Sequence, residues 1–556
     1  MKRTTTLLAA CVGSFLLGAF IIAPDDPKKP LTSDMADVAS RLFGISFTSA
    51  ERDSMVDNLN DFQTDYDALR KVDLPNDIAP ALYFNPLPAG FKIATGPSSF
   101  RASVPGKVIL PANRDDLAFY SVGQLSELIR TRQISSVELT TFFLNRLKTY
   151  NAKLHCVITL TDDLALQQAK RADAELKAGK YRGPLHGIPY GAKDLLAKRG
   201  YKTTWGSVPY KDQTLTIDAT VIRKLEEAGA VLCAKTSVGE LAWGDVWFGG
   251  MTRNPWSPAT GSSGSSAGTA SAVSAGLLPF GIGTETLGSI VSPSTVCGTT
   301  GLRPTFGRIS RHGAMALSWS MDKIGPIART VEDCGLVFNA IYGPDANDPT
   351  TVMAAPFRYA PVSSLRGMRI GYVKKSFESN YPNRANDSLT LGILRSLGAE
   401  LIPFELPTSI SANRISFVLG VEAAASFDDL TRSGRDDQMV RQIKNAWPNE
   451  FRSSRFVPAV EYIQANRART KLINDMAARL KAAKLDVYVS PTYAGGNLTL
   501  TNLTGHPCVV LPNGFTKEKL PTSITFMGQL FEEGKVLAVA KAYQDASGWH
   551  KKHPTL

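Results

Sequence analysis

Serines set among glycines carry the first chemical signal in this chain. Ser265 and Ser266 lie in GSSGSSAG (residues 261–268), and Ser289 closes GTETLGS (residues 283–289). Small residues leave backbone N–H groups bare, so a ligand can approach them closely. A serine hydroxyl is a weak nucleophile and needs a base. The six histidines offer no evident setting for one. The remaining candidate is a lysine kept neutral by burial, and Lys193 fits. It closes the largely apolar run Ile188-Pro189-Tyr190-Gly191-Ala192 and precedes Asp194-Leu195-Leu196. Desolvation disfavours an ammonium and lowers its pKa from about 10.4 by up to several units.

Plainer readings stand beside this one. Gly/Ser-rich composition also makes linkers, although linkers do not usually lead straight into an apolar segment such as 277–282. A single lysine is most often a surface or ion-paired group. Gly264-Ser265-Ser266-Ala267-Gly268 matches G-x-S-x-G, which would make Ser266 the nucleophile of a hydrolase elbow. That elbow needs a strand directly before it, and residues 254–263 (NPWSPATGSS) read as loop.

Around these residues the chain alternates between helix and strand signals. Ser121 is placed to cap a helix running through Arg130, and Ser135-Ser136 to cap a second over 137–150. A third helix fits 162–178. Strand signals end at Lys193, at Lys235 and in 277–282, and the alternation returns at 368–373, 389–397 and 401–404. A helical insert over 410–483 precedes buried strands at 485–490 and 508–511. The pattern predicts an α/β fold with a large central, mostly parallel or mixed sheet covered by helices on both faces.

Ahead of this, residues 24–115 read as an extension. Met35, Val38, Leu42, Met55, Leu59, Phe62 and Leu69 keep helical spacing, and repeated prolines mark 76–115 as surface chain. Residues 1–23 form a separate unit: Lys2 and Arg3 precede an uncharged run from Thr4 to Ala23. This is the pattern of an export signal. At about 20 residues the run would also span a bilayer, with the positive end on the cytoplasmic side. The rest of the chain is then expected outside the cytoplasm, periplasmic, membrane-anchored or secreted. Leu8-Ala9-Ala10-Cys11 resembles a lipoprotein box, but more apolar sequence follows it.

Composition narrows the partners. The 556 residues are 43% apolar and 20% charged, as in ordinary globular proteins, with a net charge of +12. The basic residues are scattered, so a solvated surface is expected rather than a nucleic-acid face. The six cysteines include no C-x-x-C pair, and an odd number remains after Cys11. That argues against a disulfide framework or a zinc site and for buried thiols.

Taken together, Lys193 within GIPYGAKDLLA, Ser265 within SGSSAG and Ser289 within GTETLGSI resemble the amidase signature family. The resemblance continues through YKTTWGS (201–207), TRNPW (252–256), GLRPTFGRISRHG (301–313) and DKIGPIARTVEDC (322–334). It is dense over 116–335 and thin to about 545, so 116–545 is the expected amidase domain, with a signature core near 183–335 and a tail from 546. The resemblance implies that Ser289 attacks an amide carbonyl, that Ser265 follows a cis peptide and relays the proton, and that Lys193 is the base. It also implies an oxyanion hole from the N–H groups of Thr286, Leu287, Gly288 and Ser289, with Ser266 in support. Such chemistry needs no metal or organic cofactor. The expected partner is a small-molecule or peptide amide, with membrane attachment through 4–23 and oligomerisation left open. The alternatives are the glutaminase component of a tRNA-dependent amidotransferase and a non-catalytic binder on the same fold.

This chain departs from the family at Leu287, where glycine is common, and at Val291, where arginine is frequent. Trp243, Trp247, Phe248 and Trp256 are candidates for an apolar pocket, and the 410–483 segment for its other wall.

Overall fold

The computed structural model describes residues 30–69, 71, 72, 75–78, 82–104, 106–351 and 355–556. The expectations for residues 1–23 lie outside these. The chain divides at Pro75 into two units.

The smaller unit holds α1 (Ser33–Leu42) and α2 (Ser49–Leu69). Thr32 caps α1 by accepting the Met35 N–H. The two helices are joined by Arg52 on Asp37 at 3.1 Å, and Leu31 donates to Asn60 at 2.9 Å.

The larger unit begins at Asn76, so the Pro-rich segment 76–115 belongs to it rather than to the helical pair. Its helices α3 (Val122–Arg130) and α4 (Ser136–Leu154) open with full capping boxes, Ser121 with Gln124 and Ser135 with Glu138. Each box satisfies two N–H groups that a helix start leaves without partners. α5 (Asp162–Lys177) follows.

An eleven-stranded sheet runs through this unit. In chain order its strands are β1 (Val157–Leu160), β2 (Pro189–Lys193), β3 (Val231–Thr236), β4 (Phe280–Glu285), β5 (Thr300–Arg303) and β6 (Lys323–Ala328). They continue as β7 (Arg369–Val373), β8 (Glu400–Phe404), β9 (Val487–Pro491), β10 (Cys508–Phe515) and β11 (Pro521–Gly528). The spatial order is β8-β7-β9-β11-β10-β5-β6-β4-β2-β3-β1. β2 pairs parallel with both β3 and β4, whereas the central run from β4 to β9 is antiparallel, so the sheet is mixed.

Alternation along β3 shows both faces covered. Leu232 packs into the main core with Tyr190, Ala192, Phe280 and Ile282. Its neighbours Val231 and Cys233 pack into a second cluster with α4, α5 and α6 (Ala267–Ser274). The five cysteines from 156 onward are buried free thiols.

The structure corrects three local readings. Residues 254–263 are not all loop, because Ser257–Gly261 pairs with Arg253–Asn254 as a short hairpin. β5, β6 and β11 are strands where the sequence pattern predicts none. A further helix, Glu533–Ser547, largely buried, runs across the expected start of the tail at 546.

Candidate active site

Two neighbouring strands deliver the site. Lys193 is the last residue of β2, and Thr284 and Glu285 end the adjacent β4. The Lys193 side chain is fully buried. Its Nζ lies 2.8 Å from Ser265 Oγ, 2.8 Å from Thr284 Oγ1 and 3.5 Å from the Thr284 carbonyl oxygen. Burial pulls the amine down from 10.5 to about 7, and the charges of Asp322 and Glu285 oppose part of that fall. Near neutral pH a large share of the amine is therefore unprotonated.

Ser265 follows a cis Gly264–Ser265 peptide. The chain is closely packed here: a Cβ at Gly264 would lie 1.8 Å from the Gly244 carbonyl oxygen. Ser266 is committed to β4. Its Oγ accepts the Thr284 N–H at 3.1 Å and donates to the Thr284 carbonyl at 3.1 Å. With its proton and a lone pair both engaged, Ser266 is a strut, which removes the hydrolase-elbow alternative.

The Ser266 N–H donates to the Ser289 carbonyl at 3.1 Å and so ties the two serine loops together. Ser289 is 8% exposed. Among the described residues no hydrogen bond joins the Ser265 and Ser289 hydroxyls. The link from Lys193 to Ser265 is made, and the link onward to Ser289 is not. Catalytic hydrogen bonds commonly close only in the substrate complex.

The loop between β4 and α7 (Val291–Cys297) holds four consecutive N–H groups, those of Thr286, Leu287, Gly288 and Ser289. Among the described residues none of the four donates to another protein group. The next two N–H groups, of Ile290 and Val291, are both taken by Glu285 Oε2 at 2.9 Å. Gly288 has φ +89°, a conformation that residues with a side chain avoid.

Glu285 is itself fixed. Its Oε1 accepts from Arg303 and from Asn502, each at 2.8 Å. Burial works against its charge, but the Arg303 charge and hydrogen bond outweigh burial and hold the carboxyl at about 2. Thr286 Oγ1 donates to the half-buried Asp322 at 2.6 Å.

A cavity of about 110 Å³ borders this loop, lined among others by Ala242, Thr284, Thr286, Met315, Trp319 and Asp322. None of the four aromatic residues expected there lines it. Trp247 packs edge-on to Phe248, Trp256 donates to the Cys297 carbonyl at 2.8 Å, and Trp243 stacks under the Arg441 guanidinium. The 410–483 insert acts indirectly. Trp447 donates to the Leu241 carbonyl at 2.9 Å, and the Val440 N–H donates to Glu240 at 2.8 Å. These bonds brace a loop in which Leu241 and Ala242 take φ of +47° and +65°, and Ala242 reaches the cavity.

Sequence reasoning brings Lys193, Ser265, Ser266 and Ser289 to one place but misses Thr284, Glu285, Arg303 and Asp322. Glu285 carries a usable signal, as the lone charge in the run 261–289. Arg303 and Asp322 lie within the motif stretches 301–313 and 322–334, but neither stretch shows that they meet Glu285 and Thr286.

The family model for Amidase matches residues 138–500. The chain therefore belongs to the amidase signature family. It is 32% identical over 483 residues to a glutamyl-tRNA(Gln) amidotransferase subunit of Coxiella burnetii, covering 78% of this chain and 99% of that protein. The corresponding protein of Heliobacterium modesticaldum is 33% identical over 78% of this chain and 98% of its own length. Among solved structures, native peptide amidase from Stenotrophomonas maltophilia superposes with a TM-score of 0.69 at 30% identity, covering 77% of this chain and 97% of that one. The fold and family thus define an enzyme acting on amide C–N bonds.

Proposed function

We propose that the chain is an exported serine amidohydrolase that splits a carboxylic amide into acid and amine or ammonia. The observation that carries this reading is the buried Lys193 amine 2.8 Å from the Ser265 hydroxyl, beside a loop whose four N–H groups have no protein acceptor among the described residues. In this mechanism neutral Lys193 takes the Ser265 proton while Ser265 takes that of Ser289. Ser289 Oγ bonds to the amide carbon, and the carbonyl oxygen gathers negative charge toward the N–H groups of residues 286–289. Such donors typically contribute a few kcal/mol each to the transition state. The proton returns through Ser265 to the departing nitrogen as the C–N bond breaks, leaving an acyl ester on Ser289. Water, deprotonated along the same path, then releases the acid.

Export rests on the Lys2-Arg3 and Thr4–Ala23 pattern of the sequence. A panel of aliphatic, aryl, peptide C-terminal and long-chain amides, scored by ammonia or amine release, tests the activity. Turnover by the wild type and none by Ser289→Ala is expected, and turnover that survives the substitution would refute the reading. A second reading, the glutaminase component of an amidotransferase, is favoured by the identity to glutamyl-tRNA(Gln) amidotransferase proteins. Glutamine hydrolysis that appears only with co-purified partner chains would select it.

A further inference from the structure

We infer that Thr284 is the positioning residue that aims the Lys193 lone pair at Ser265, by accepting both N–H bonds of the neutral amine. This rests on the amidohydrolase reading and adds a residue to it. A neutral lysine amine has two N–H bonds and one lone pair. For Lys193 to draw the Ser265 proton, the lone pair must face Ser265 Oγ and both N–H bonds must point elsewhere. Among the described residues, Nζ bonds Ser265 Oγ at 2.8 Å and two further oxygens, both of Thr284: Oγ1 at 2.8 Å and the carbonyl at 3.5 Å. One residue thus takes both hydrogens and leaves one direction for the lone pair.

Thr284 is itself held. It lies in β4, and Ser266 Oγ bonds both its N–H and its carbonyl. The carbonyl acceptor is a backbone group that no substitution removes, but Oγ1 belongs to the side chain. Threonine to valine replaces that hydroxyl with a methyl of similar shape and keeps the β-branching that suits a strand. Serine retains the acceptor. The pair of variants therefore separates hydrogen bonding from packing.

The direction of the pH effect follows from the same geometry. The ammonium form places all three of its hydrogens on these oxygens, and a bond from a charged donor is about twice as strong as a neutral one. Losing Oγ1 therefore harms the cation more than the amine. The charges that face Lys193, Asp322 just before β6 and Glu285 on β4, remain in place in either variant.

The test is the rate at which a fluorophosphonate probe labels Ser289, measured from pH 5 to 9. This readout needs no knowledge of the natural amide. For Thr284→Val we expect a plateau rate at least about 30-fold below wild type and a midpoint moved to lower pH, with Thr284→Ser within about threefold of wild type and its midpoint unmoved. Equal losses in both variants, or an unmoved midpoint in Thr284→Val, would overturn the inference while leaving the amidohydrolase reading intact. A wild type that is never labelled at Ser289 overturns that reading and this inference with it.

Discussion

Arg303 donates to Glu285 at 2.8 Å with both side chains wholly buried, and the other oxygen of Glu285 holds the N–H groups that follow Ser289. An ion pair between β5 and β4 thereby sets the backbone of the loop that carries Ser289. Removing one partner of a buried pair strands the other charge and costs about 3–5 kcal/mol. Arg303→Met should therefore lower stability by that order, read in denaturant unfolding, and Ser289 labelling should slow with it.

The same carboxylate gives the pair a pH window. Glu285 is held at about 2 against an ordinary value of 4.5. A depressed acid contributes stability that is present above its unfolded pKa and is lost as pH falls through its folded one. The wild type should lose stability between about pH 4.5 and 2, and Glu285→Gln should show a shallower loss over that window in thermal melts.

Lys193 gives the opposite sign in a different window. Its folded pKa is about 7 and its ordinary value 10.5, so the unfolded chain binds the proton more tightly between those values. Burying the amine is thus a penalty that eases as pH rises from about 7 to 10.5. Lys193→Met should be inactive yet more stable than wild type by about 1–4 kcal/mol at pH 7. The advantage should shrink at pH 9.5, and a gap that does not change with pH would contradict the buried-amine account.

Gly288 carries a steric prediction. At φ +89° a side chain is strained whatever the surrounding space. Gly288→Ala should cost about 1–2 kcal/mol of stability and slow fluorophosphonate labelling of Ser289 by about one order of magnitude or more, measured with substrate absent. Labelling at the wild-type rate would show that the loop does not need this conformation.

Much of this is legible in the chain itself. Caps such as Ser121 and Ser135 are local hydrogen-bond signals, and the helices begin where those residues place them. β2 and β3 can be read directly from their apolar residues, whereas the run 277–282 gives β4 only in part, because the strand is Phe280–Glu285 and ends on the polar Thr284 and Glu285. β6 cannot, because KIGPIA carries Gly325 and Pro326 inside the strand, residues that ordinarily argue against one. β11, PTSITFMG, mixes polar and apolar residues and is buried throughout, so periodicity gives no guide. Ser265 and Ser289 are visible because their glycine-rich surroundings are local. Arg303, Asn502 and Asp322 meet the site only through sheet pairing and packing across long stretches of chain, a relationship that no local pattern records. The aromatic pocket fails for a related reason: residue type alone suggests Trp256 and Trp247, whereas their partners, Cys297 and Phe248, fix them elsewhere.

The most direct test of the central claim is the pH dependence of fluorophosphonate labelling of the wild type, with the modified residue mapped by peptide mass. A single adduct on Ser289, forming at a rate that rises with pH and levels off around a midpoint near 7, is the predicted result. An adduct on Ser265 or Ser266, or a rate on Ser289 that is flat from about pH 5 to 9, would contradict it.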